Sequence, residues 1–243
     1  MSLIKECCDT PPVQVNYTPI GKTFKLKDDL DCYVVGDINA KAAIIYIYDI
    51  FSLHPNAYQG CDILAKSGFR VIMPDLLRND QTVEQCLGDS AKFMDFLKRK
   101  GTYEVIKDDL DATKNHIKNV EGFENVALIG FCWGAKIVMN LSAHDSFYKA
   151  GALVHPSLLE ISDFENAQCP MVLLPSMNER DFTEDFAVIS AKPFGSLCYH
   201  QRFDDMIHGW CAARGEWADA HIASRANEAF SIVVSNFRKI LKL

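Results

Sequence analysis

A cysteine stands between two glycines in Val126-Ala127-Leu128-Ile129-Gly130-Phe131-Cys132-Trp133-Gly134-Ala135, where an apolar run meets a segment of helical spacing. A strand ending at Gly130, a reactive side chain two residues later and a helix opened by Gly134 form a G-x-nucleophile-x-G turn, with cysteine where serine is usual. The small residues let the turn tighten and let the helix pack close to the strand. The thiol is left above the sheet at a helix N-terminus, where the dipole favours a thiolate. The backbone N–H of Trp133 then points at a developing oxyanion. A free cysteine is ordinarily a packing residue. The strand–turn–helix setting singles Cys132 out from the other eight of the chain's nine cysteines as a nucleophile.

A nucleophile of this kind needs a base, and the triad built around such a turn runs nucleophile, acid, histidine along the chain. Among the histidines well beyond Cys132, His200 falls inside an apparent strand and His221 inside the last helix. His208, in Phe203-Asp204-Asp205-Met206-Ile207-His208-Gly209-Trp210, falls on a loop after that strand and is the expected general base. His155 ends a strand ahead of Pro156-Ser157, precedes the acid candidates, and is read as structural. The loop Pro175-Ser176-Met177-Asn178-Glu179-Arg180-Asp181 carries two carboxylates, and either Glu179 or Asp181 could accept the Nδ1–H of His208 and fix its tautomer.

The elements that must position these residues alternate in the βαβ manner. Residues 42–48 (AAIIYIY) are apolar on both faces and read as a buried strand. A helix over 56–67 stops at Gly68, and 69–73 is the next strand, ended by Pro74. Helices are expected over about 82–99 and 103–120, then strand 125–131 running into helix 134–143. Further strands fall at 150–155, 171–174 and 196–203, and 216–241 reads as a long closing helix. The fold class is therefore α/β, a mostly parallel central sheet flanked by helices. It occupies one domain over 1–243, with residues before about 40 forming an N-terminal arm and edge strands. Parallel strands put a site at their C-terminal ends, where Cys132, the Glu179 loop and His208 all fall.

Composition narrows the partners. The formal charge of −7 argues against a general nucleic-acid binder. No run approaches the roughly 20 apolar residues of a membrane helix, and the opening nine residues do not read as a signal peptide. Nine scattered cysteines, with only Cys7-Cys8 close together, look unlike a disulfide framework and suggest a reducing compartment, the cytoplasm by default. No zinc-ligand spacing is present, so neither a metal nor a cofactor is expected.

With Cys132, His208 and the intervening acid placed, the chain resembles the dienelactone hydrolase (carboxymethylenebutenolidase) family, from about residue 42 to the final helix. The likeness rests on Tyr48-Asp49-Ile50-Phe51, Met73-Pro74-Asp75-Leu76, Gly130-Phe131-Cys132-Trp133-Gly134 and His208-Gly209-Trp210. Lys192-Pro193-Phe194-Gly195 and Phe203-Asp204-Asp205-Met206 are most similar to fungal members. The resemblance implies an α/β-hydrolase fold, a Cys-His-acid triad and a small ester or lactone substrate. Family spacing counted from Cys169-Pro170 favours Glu179, while the local Glu-x-Asp pattern favours Asp181. The resemblance further implies that Asp49, where most members carry glutamate, partners the cysteine, and that the N–H of Ile50 is a second oxyanion donor. Arginines hold a lactone carboxylate in characterised members, and Arg78 and Arg214 are the corresponding candidates here. Trp133, Trp210 and Phe51 are candidate pocket walls.

The expected chemistry is cleavage of a carboxylic ester or lactone through a thioester acyl-enzyme. Two other classes use the same features: a catalytically silent small-molecule binder on this fold, and a thiol redox sensor. The sequence is silent on oligomeric state.

Overall fold

The computed structural model describes residues 10–243; the opening segment and the Cys7-Cys8 pair lie outside them. A hairpin of β1 (Lys22–Lys27) and β2 (Leu30–Val35) leads into β3 (Ala43–Ile47), α1 (Pro55–Lys66) and β4 (Arg70–Pro74). There follow a 3-10 turn (Gln81–Cys86), α2 (Ser90–Lys100), α3 (Tyr103–Asn115) with a π turn at its end (His116–Val120), β5 (Val126–Phe131) and α4 (Trp133–His144). Then come β6 (Tyr148–Val154), α5 (Ile161–Asn166), β7 (Met171–Leu174), α6 (Thr183–Ser190), β8 (Tyr199–His200) and α7 (Ala220–Leu241).

The strands form one sheet of order β1-β2-β4-β3-β5-β6-β7-β8. From β4 to β8 all pairings are parallel, while β1 and β2 join antiparallel at one edge. The central β3 and β5 are buried along their whole length, which explains why they carry apolar residues on both faces. Helix α4 packs on β5 and β6, and α7 packs on β6, β7 and α1 with Phe230, Val233 and Phe237 buried.

Three expected elements differ. The helix over 82–99 is broken: Gly88 takes φ +80°, and Asp89 caps a new helix by accepting from the N–H groups of Ala91 and Lys92. The strand over 196–203 shrinks to β8, because a 3-10 turn occupies Gly195–Leu197; Phe203 makes only an isolated bridge to Ser176. The closing helix starts at Ala220 instead of 216, where the Asp219 carboxylate caps His221 and Ile222.

Candidate active site

The turn between β5 and α4 is held by its glycines. A Cβ on Gly130 would stand 2.3 Å from the Gly134 carbonyl oxygen, and one on Gly134 would stand 2.4 Å from that of Ile47. Helix α4 can therefore start directly against the ends of β5 and β3 only if both positions lack a side chain. Between them Cys132 adopts φ +51°, ψ −114°. A non-glycine residue in so sparsely populated a region costs about 1–3 kcal/mol, and such strain clusters at functional sites. Its backbone is fixed on both sides: the N–H donates to Val154 at 3.1 Å, and the carbonyl accepts from Ser157 N–H at 3.0 Å.

His208 lies in the loop that follows β8, and its Nδ1 stands 2.7 Å from Glu179 Oε1, both side chains fully buried. The same carboxylate accepts from the Ser176 hydroxyl at 2.9 Å and from the Ser176 backbone N–H. Arg202 secures the acid loop by donating to the carbonyls of Ser176, Glu179 and Arg180. Asn178 holds the histidine's backbone N–H through its amide oxygen at 2.7 Å. Of the two acids in this loop, then, Glu179 meets His208. Asp181 turns outward and accepts from Thr183 through both the backbone N–H and the hydroxyl.

The loop after β3 supplies Asp49 and Ile50, both buried. Asp49 accepts from Phe51 N–H at 2.9 Å and from Ala213 N–H at 3.0 Å, which ties this loop to the His208 loop. Burial raises its carboxyl pKa, against the pull of those two backbone donors. Trp133 opens α4, and its indole N–H donates to the Gly101 carbonyl at 2.7 Å.

Both arginines have partners within the chain, and Arg214 lies close enough to Asp49 and His155 to act on their charge. Arg78 bridges Asp29 at 3.0 Å and Asp109 at 2.8 Å, fastening the β1–β2 hairpin to α3. Arg214 stacks over the Phe51 ring at 5.0 Å and donates to the Thr10 carbonyl. Trp210 and Phe51 are buried beside this loop.

One neighbour escapes the sequence reading. His155, which the sequence presents as structural, directly follows β6 at φ +36° with its ring fully buried. Its centroid is 5.0 Å from that of His208 and 5.3 Å from that of Trp210, edge to face in both cases. Neither ring nitrogen meets a hydrogen-bond partner among the described residues. Burial, with the charge of His208 adding to it, pushes its pKa well below the ordinary histidine range. Its place at the C-terminal end of a parallel strand is the signal that could have found it.

A strand-to-helix turn bearing cysteine, with a histidine–carboxylate pair on the loops beyond the same sheet, defines the chain as an α/β-hydrolase. Residues 30–241 match the dienelactone hydrolase family, and the chain belongs to that family. An AIM2 family protein of Schizosaccharomyces pombe is 29% identical, over 97% of this chain and 99% of its own. The human carboxymethylenebutenolidase homolog is 24% identical over 68% and 67%. Among solved structures, a Klebsiella pneumoniae protein described as a dienelactone hydrolase superposes with a TM-score of 0.68 at 18% identity, covering 86% of this chain and 92% of that one. An esterase of Pyrococcus furiosus superposes at 0.65 with 13% identity, covering 96% and 99%. This membership supports hydrolysis of an ester or lactone. No helix among the described residues is long and apolar enough to cross a membrane.

Proposed function

We propose that the protein hydrolyses carboxylic esters or lactones by acyl transfer to Cys132. The observation that carries this reading is the strained turn at Cys132, held by two glycines that tolerate no Cβ, in a fold whose adjoining loop pairs His208 with Glu179. The neighbourhood is closed by short steps: Cys132 N–H bonds Val154, His155 follows, and the His155 ring touches that of His208.

His208, oriented by Glu179, takes the thiol proton as Cys132 Sγ bonds to the carbonyl carbon. The backbone N–H groups of Trp133 and Ile50 receive the oxyanion. The C–O bond breaks, the alcohol leaves with the proton from His208, and a thioester remains. Water, deprotonated by His208, adds to the thioester; the acid departs and the thiol is restored. The family resemblance assigns Asp49 as the acidic partner of the thiol, and its raised pKa suits a carboxyl that exchanges a proton. The free state of the seven described cysteines fits thiol chemistry in a reducing compartment such as the cytoplasm.

The test is hydrolysis of aryl esters and lactones by the wild type and Cys132→Ala. Turnover in the first and its loss in the second is expected. Stoichiometric thiol labelling without turnover would favour a silent binder or, if a reductant reverses oxidation of Cys132, a sensor.

A further inference from the structure

His155 carries two costs that a packing residue does not need. Its backbone takes φ +36°, a region that residues other than glycine adopt sparingly. Its imidazole is fully buried, and neither Nδ1 nor Nε2 meets a hydrogen-bond partner among the described residues. A buried ring nitrogen left unpaired is costly, and an apolar side chain in the same place would avoid that cost. Strain of this kind, beside a candidate site, points to function.

The ring is seated among aromatic groups. Its centroid lies 5.7 Å from that of Phe131, 5.3 Å from that of Trp210 and 5.0 Å from that of His208, the last two edge to face at 65° and 75°. The backbone is fixed as well: the His155 N–H donates to the Leu174 carbonyl at 2.9 Å, at the end of β7. The Glu179 hydrogen bond fixes where the His208 Nδ1–H points, but a single hydrogen bond leaves a ring free to tilt about it. A flat neighbour in edge-to-face contact removes that freedom.

The two histidines have opposite surroundings. His208 has a carboxylate at 2.7 Å, which favours an imidazolium. Phe131 and Trp210 offer His155 only rings, and the charges that act on it, those of His208 and Arg214, oppose a second cation. Burial adds to that opposition and keeps its pKa well below the ordinary histidine range. Titratable neighbours whose environments diverge in this way divide the acid–base work between them.

We infer, on the acyl-transfer reading above, that His155 is a positioning residue for the base. Its uncharged ring, seated between Phe131 and Trp210, holds the plane of the His208 imidazole and leaves the proton given up by Cys132 to His208 alone.

The test joins aryl-ester kinetics to nitrogen NMR of the histidine side chains, with His155 assigned by the signals that His155→Phe loses. In the wild type without substrate, the His155 nitrogens are expected to keep the shifts of a neutral ring from about pH 8 to about pH 5.5. His155→Phe retains a flat, uncharged ring and should hold kcat within a few fold. His155→Leu fills the slot without such a ring and should lower kcat about tenfold or more, with KM within about twofold. The His208 Nδ1–H proton signal should persist in His155→Phe and broaden by exchange with water in His155→Leu. A His155 that is protonated within that range, wild-type kcat in His155→Leu, or a His155→Phe variant as impaired as His155→Leu would overturn the inference. Undiminished hydrolysis by Cys132→Ala would instead overturn the acyl-transfer reading. The NMR arm needs no turnover and would still decide whether His155 holds the His208 ring.

Discussion

Glu179 and Asp181 stand two residues apart in one loop, yet only Glu179 reaches His208. The difference comes from contacts that sequence spacing does not encode: Ser176 offers Glu179 both a backbone N–H and a hydroxyl, and Arg202 fixes the loop through three carbonyls. Cys132 and His208 are legible as candidates because a turn motif and chain order single them out; which carboxylate meets His208 is legible only to within its loop. Glu179→Gln should lower kcat about a hundredfold or more, since the histidine loses the carboxylate that sets its tautomer. Asp181→Asn should change kcat only a few fold, and the opposite ranking in steady-state assays would move the acid to Asp181. His155 carries a prediction about pH. Its pKa is lowered by folding, so below about 6.5 the unfolded chain binds a proton that the native state does not. The stability this neutral ring contributes is whole above that pH and is lost as pH falls toward the folded-state value. His155→Phe should therefore flatten the decline of urea-unfolding stability between about pH 6.5 and 5. An unchanged acid slope would contradict the burial argument.

At the scale of elements, the interior strands were readable from apolar runs, because a strand covered on both faces leaves no polar alternation. Two of the three segments that differ lie at a glycine, and the third at the Asp219 cap. Gly88 at φ +80° splits the expected helix before Asp89. Gly195 approaches the Ser190 carbonyl at the end of α6 too closely for any side chain, and turns the expected edge strand into a 3-10 turn. The same close-approach reasoning makes Gly134 the test of the β5–α4 turn. A methyl there meets carbonyl oxygens of Ile47 and Tyr48 at 2.4 and 2.6 Å. Gly134→Ala should push α4 away from β3, destabilise the protein by roughly 1–3 kcal/mol and reduce turnover by displacing the Trp133 N–H. Wild-type stability in chemical denaturation together with wild-type kcat would show that the turn does not depend on that contact.

For the molecule as a whole, the alternation of strands and helices foretold the parallel sheet, and β1 and β2 form its antiparallel edge. What the sequence hid is long-range. Arg78 joins the edge hairpin to α3, and the Thr10 carbonyl meets Arg214 across almost the full length of the chain. These contacts connect segments far apart in sequence, which no local period or spacing records. The proposed site draws on loops that follow β3, β5, β6, β7 and β8, with Cys132 proposed as its centre. Mass spectrometry of the intact protein, quenched soon after mixing with an activated neutral ester, tests that centre directly. The mechanism predicts one acyl group per chain, mapped by peptide analysis to Cys132, released by neutral hydroxylamine and missing from Cys132→Ala. An acyl group on another residue, or turnover sustained by Cys132→Ala, would contradict it.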